Sequence, residues 1–123
     1  MALTLSQLIW ITVGGALGAV LRFWLTRLTA WVTGHSLPAT LAVNGVGCLG
    51  LGLVFSQSQH FDQGWLLVFE LGVFGGFTTF STFAVEVRGL LHDRPRYAVA
   101  YLVLSVLLTM ASFLLGRWLG GGM

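Results

Sequence analysis

Apolar residues fall into four long blocks: Leu5 to about Val32, Leu37 to Phe55, Trp65 to Leu91 and Tyr97 to Leu119. Each approaches or exceeds the ~20 residues a helix needs to cross the hydrocarbon core of a bilayer. The breaks between them hold turn and polar residues: Gly34-His35-Ser36 with Pro38, then Ser56 to Gly64, then His92-Asp93-Arg94-Pro95-Arg96. In lipid every backbone N–H and C=O must find a partner inside the protein, so each block is expected to be helical. Short connections then make neighbouring helices antiparallel. The pattern predicts an all-α membrane protein with four transmembrane helices, formed as one domain over residues 1–123.

Composition strengthens this reading. Hydrophobic residues make up 56% of the chain and charged residues 8%, against about 25% charged in a soluble domain. The basic residues are all arginine, and a net charge of +2 is too small and scattered for a nucleic-acid surface. No Lys or Arg precedes Arg22, so the charged start of a cleaved signal is missing and the first block is expected to stay in the mature protein. Cys48 is single and tells nothing about redox compartment.

Glycine is abundant, 17 residues, and clustered. Gly14, Gly15 and Gly18 lie in the first block, with Gly14 and Gly18 spaced as GxxxG. Gly45, Gly47, Gly50 and Gly52 lie in the second, and Gly72, Gly75 and Gly76 in the third. Small residues let helix backbones approach closely in lipid, which accounts for most of them. The run Gly45 to Gly50 also has dinucleotide-binding spacing, but that fingerprint needs a preceding strand and a parallel sheet, and its flanks here are membrane-length apolar runs.

No enzyme constellation emerges. His35, His60 and His92 lie in or beside three different loops, without metal-ligand spacing. The informative residues are polar ones inside the apolar blocks, since such groups are costly in lipid and mark a pathway or a packed interface. Asn44 offers two donors and an acceptor, for an interhelical bond or for a passing anion. Tyr101, Ser105, Thr109 and Ser112 follow helical spacing and share one stripe. Their hydroxyls could bond back to their own helix or replace water around an ion. The third block reads Gly75-Gly76-Phe77-Thr78-Thr79-Phe80-Ser81-Thr82-Phe83, a poor continuous helix. A mid-membrane break is expected there, buried in protein or lining a cavity, and the carbonyls it frees could coordinate a sodium ion. Phe80 and Phe83 flank the break. They serve as packing residues or present ring edges, which are electropositive, to an anion.

Three motifs carry a resemblance over essentially the whole chain: GGALGAVLR from Gly14 to Arg22, TLAVNGVGCLGLG around Asn44, and GGFTTFSTF from Gly75 to Phe83. The sequence resembles the Fluc (CrcB) family of fluoride channels, the third motif being the most specific. The resemblance implies four-helix subunits in the plasma (inner) membrane, crossing it several times. They pair as an antiparallel dimer with two pores that pass fluoride and exclude chloride. By motif match, Asn44, Phe80 and Phe83 line the pores and Tyr101, Ser105 and Thr109 form a polar track. Gly75 and Thr78 offer backbone carbonyls to a structural Na+ at the dimer centre, and Arg22, Thr79 and Ser81 are possible supporting residues. Arg22 reads equally as a snorkelling cation, and Glu86 as an interfacial carboxylate near a pore mouth. Ala39 stands where the family commonly has glycine.

Charge placement adds a complication. The first and third loops share a side that carries Arg27, Arg88, Arg94 and Arg96, while the other side has Arg117. Such a bias predicts one preferred orientation, with both termini outside. An antiparallel homodimer needs two orientations, so either the bias is overridden or the partner is an oppositely oriented paralogue. The competing class is a small multidrug/proton antiporter of similar length. It needs a membrane carboxylate as proton relay, but the first block has no acid, and Glu70 and Glu86 lie toward opposite ends of the third.

Overall fold

A computed structural model describes residues 2–121, and every described helix belongs to one of four spans. Helix α1 runs Leu5–Thr33 and α2 Leu37–Ser56. The third span, Gln63–Asp93, is composite. It begins as α3 (Gln63–Leu67), widens to a π-helical stretch (Val68–Phe74) and tightens again in α4 (Gly75–Phe77). It breaks at Thr78 and resumes as α5 (Ser81–Asp93). Helix α6 spans Pro95–Leu119.

The ends follow from local chemistry. Thr4 opens α1 with a reciprocal cap: its Oγ1 accepts from the Gln7 N–H at 3.2 Å, and Gln7 Oε1 accepts from the Thr4 N–H at 3.0 Å. Gly34 closes α1 at φ 74°, a left-handed conformation that glycine adopts without steric cost. Pro38 and Pro95 sit in the first turns of α2 and α6, where a missing N–H costs nothing. Only Arg94 separates α5 from α6, so these two must run antiparallel.

Glycines set how close the helices come. α1 packs against the third span, with the four-residue spacing of Val68, Gly72 and Gly76 keeping one face toward it. A Cβ on Gly18 would drive into the Val73 carbonyl, and one on Gly76 into the Gly15 carbonyl. α2 packs against α6 in the same way: a Cβ on Gly52 would meet the Phe113 carbonyl, and one on Gly116 the Leu49 carbonyl. Gly47 and Gly50 leave room for Phe77, Thr78 and Phe74 of the third span. Backbone lies almost on backbone at these crossings, the arrangement that stabilises helix pairs where lipid offers no hydrophobic driving force.

The segment expected to break does so. Thr78 has φ −76° and ψ 159°, an extended conformation between two helical stretches. The π-helical stretch before it was not anticipated. There the Gly75 N–H reaches back five residues to the Glu70 carbonyl. Gly75, Phe80, Ser81 and Thr82 are all exposed on the single chain, although they lie inside a span.

Gly18→Val should unfold the α1 contact, costing about 3 kcal/mol or more by overpacking. Gly15→Ala should be nearly silent, because its added Cβ meets nothing closer than 3.8 Å. Thermal unfolding of the two variants in detergent separates them.

Candidate functional site

The break is held by a side chain from the neighbouring helix. Asn44 lies mid-way along α2. Its Nδ2 donates to the Thr79 carbonyl at 2.9 Å, and its Oδ1 accepts from the Thr79 N–H at 2.8 Å. A single amide thereby satisfies both backbone groups of a residue that has left the helix. Asparagine suits this position because one side chain carries both a donor and an acceptor. Its second amide N–H stays available, and Asn44 lines the cavity described below.

Two helical donors are diverted at the same place. In an unbroken helix the Thr79 N–H would bond the Gly75 carbonyl; here it goes to Asn44. The Thr82 N–H would bond the Thr78 carbonyl, but it goes to Thr79 Oγ1 at 3.2 Å. The carbonyls of Gly75 and Thr78 are thus released from their helical donors. Arg22 takes one of them, its guanidinium donating to the Thr78 carbonyl at 3.1 Å. The partly buried arginine thereby braces the break.

A cavity of about 350 Å³ opens beside the break. Asn44, Thr79, Phe80, Phe83, Ser105 and Thr109 are on its wall, drawn from α2, the third span and α6. Thr79 Oγ1 donates to Thr82 Oγ1 at 3.1 Å and lies 3.3 Å from Ser81 Oγ, so the hydroxyls around the break bond one another. Phe80 is 78% exposed, and its ring centroid stands 5.8 Å from that of Phe83. Phe83 is half-buried and in turn lies 5.6 Å from the Tyr101 ring.

The hydroxyl stripe of α6 divides. Thr109 turns back on its own helix, donating to the Ser105 carbonyl at 2.8 Å. Ser105 is buried on the cavity wall, and its Oγ finds no partner among the described residues. Tyr101 is not on that wall; it donates to Glu86 at 2.6 Å. Ser112 lies against Gly45, outside the cavity lining.

Glu86 is a finding beyond the sequence reading, which placed it at the interface. It is half-buried and accepts from Thr40 at 2.9 Å as well as from Tyr101, tying α2, α5 and α6 together. The available signal was Thr40, one turn before Asn44 and so on the same face of α2. Glu70 is a second one. It lies in the π-helical stretch, on the cavity wall with Gly75 and Thr78. Helical periodicity alone would have rotated it away from Gly75. No cluster of His, Cys, Asp and Glu able to hold a metal occurs among the described residues.

Removing the Asn44 brace should be costly. Asn44→Ala leaves two Thr79 backbone groups unpaired, at about 1–3 kcal/mol each. Asn44→Asp keeps the acceptor but sets a carboxylate oxygen against the Thr79 carbonyl. Both should lower the thermal midpoint in detergent, with no rescue by the aspartate.

The family model described as CrcB-like protein, Camphor Resistance (CrcB) matches residues 9–117. A protein of Serratia proteamaculans named "Fluoride-specific ion channel FluC" is 38% identical over 125 residues, covering 95% of this chain and 98% of its own. Proteins of the same name from Erythrobacter litoralis and Rhodospirillum rubrum are 37% and 38% identical over 119 residues. They cover 89% and 91% of this chain, and 88% and 89% of their own lengths.

Proposed function

Because the chain belongs to the CrcB-like family, we propose that it is a fluoride-selective channel subunit of the inner membrane, letting cytoplasmic fluoride leave passively. It is a conduit and not an enzyme. The observation that carries this reading is the cavity at the break, where Asn44, Ser105, Phe80 and Phe83 meet without a cationic side chain on its wall.

Fluoride is small and holds its water tightly, so a path through lipid must replace that water with other donors. A fixed positive charge would retain the ion, whereas weak sites in series let it enter and leave. The spare amide N–H of Asn44, the unpaired Ser105 hydroxyl and the ring edges of Phe80 and Phe83 are donors of that strength. Thr109 lies on the same wall with its hydroxyl proton engaged by the Ser105 carbonyl, while Tyr101 stands off the wall, bonded to Glu86 and behind Phe83. Efflux follows because neutral hydrofluoric acid crosses the bilayer inward and dissociates, after which the membrane potential drives the anion out.

The subunit is read as half of an antiparallel dimer. Gly75, Ser81 and Thr82 are exposed at mid-span on the single chain, and broken backbone facing lipid is unfavourable. A second, inverted copy or an oppositely oriented paralogue would cover them. The arginine bias favours the paralogue. A structural sodium ion fits the same place, since the carbonyls of Gly75 and Thr78 have lost their helical donors and neutral oxygens suit a hard monovalent cation. When bound, the ion would tie the two breaks together. Gly75 and Thr78 would hold it, while Thr79 and Ser81 order the turn and Arg22 shares the Thr78 carbonyl.

Liposomes containing the purified protein should release fluoride electrically, without a proton or sodium gradient, and chloride far more slowly. A requirement for an imposed proton gradient would instead indicate an antiporter. Phe80→Ile and Phe83→Ile should each leave a folded protein, because the volume stays apolar and similar, yet reduce fluoride flux by at least about tenfold if ring edges act as donors (about 1.4 kcal/mol in the barrier). Modest losses would make both rings packing residues.

A further inference from the structure

Glu70 is a carboxylate inside a span, and its side chain forms no hydrogen bond or ion pair among the described residues. An ionisable group so placed is expensive in lipid and needs a compensating partner. It shares the cavity wall with Gly75 and Thr78. The π-helical turn sets it directly below Gly75, whose N–H bonds the Glu70 carbonyl. The released carbonyls of Gly75 and Thr78 are neutral, and Arg22 presses a positive guanidinium against the second of them. Carbonyls alone would then hold a cation against the field of that arginine.

We propose that Glu70 supplies the negative charge that lets a monovalent cation bind at the released carbonyls of Gly75 and Thr78, offsetting Arg22. It acts through space and not as a ligand, since the ligands offered at the break are the backbone carbonyls of Gly75 and Thr78. Glu86, farther along this span, is already engaged by Thr40 and Tyr101. Charge at moderate distance in a partly buried site is worth a factor of about ten in affinity. The proposal rests on the channel reading only for its choice of sodium as the ion.

The test follows thermal unfolding of the purified full chain as sodium chloride replaces N-methyl-D-glucamine chloride at constant ionic strength. Sodium should stabilise the wild type. Glu70→Gln should need about tenfold more sodium for the same stabilisation, Glu70→Asp should stay near wild type, and Arg22→Gln should need less. Asp62→Asn, in the loop before α3, should follow the wild type. Identical sodium curves for wild type and Glu70→Gln overturn the proposal, as does a wild type indifferent to sodium. Should Glu70→Gln fail to fold, Arg22→Gln decides: an unchanged or higher sodium requirement overturns it. Fluoride flux of the wild type in liposomes distinguishes the two readings. Flux with an unshifted Glu70→Gln curve rejects the role of Glu70 and leaves the channel intact. A shifted curve without flux supports the cation site and rejects the channel.

Discussion

The two hydrogen bonds between the Asn44 side chain and the backbone of Thr79 are what the rest of the structure depends on. Lipid offers no water to a broken helix, so a break survives only if the protein supplies the missing partners. Asn44 supplies both groups for Thr79, Arg22 supplies one for Thr78, and Thr79 Oγ1 supplies one for Thr82. Without these bonds the third span would gain by closing into a continuous helix. The cavity would then lose the wall that Thr78, Thr79 and Phe80 provide.

Such a brace works only if the helices stand close enough for short side chains to reach. The glycine crossings achieve this. Gly18 and Gly76 bring α1 onto the third span, which puts Arg22, four residues beyond Gly18, within reach of Thr78. Gly47, three residues beyond Asn44, admits Phe77 and Thr78 beside α2. The glycines and the polar residues therefore belong to one device. The former fix the separation, and the latter exploit it.

Much of this was legible in the sequence, for identifiable reasons. The four spans came from block length, and their bounds agree with the helices to within a few residues. The break came from chemistry, because Gly75-Gly76 followed by hydroxyl residues disfavours a continuous helix. What the sequence did not reveal depends on pairing between helices. Asn44 read as either glue or ion donor, and only its distance to Thr79 shows that it braces the break while keeping one N–H spare. Arg22 by itself reads equally well as a snorkelling cation, and its bond to the Thr78 carbonyl, 56 residues away, has no local signature. Tyr101 and Glu86 are 15 residues apart on different helices, so nothing local announces their bond. The π-helical stretch escaped because its composition is ordinary; only the five-residue reach of the Gly75 N–H marks it.

Charge inside the spans is arranged with the same economy. Arg22 and Glu86 both hydrogen-bond polar groups of other helices, and neither lies on the cavity wall. That separation matters for an anion path. A guanidinium exposed to the cavity would bind fluoride too firmly for it to leave, while one spent on the Thr78 carbonyl steadies the wall at a remove. Glu86 likewise holds Tyr101 in place, and the Tyr101 ring supports Phe83. The carboxylate thus positions a wall aromatic through an intermediary, without presenting negative charge to the ion. Glu70 is the exception, a carboxylate on the wall itself. A cation held at the released carbonyls of Gly75 and Thr78 would offset that carboxylate, leaving little net charge beside the path.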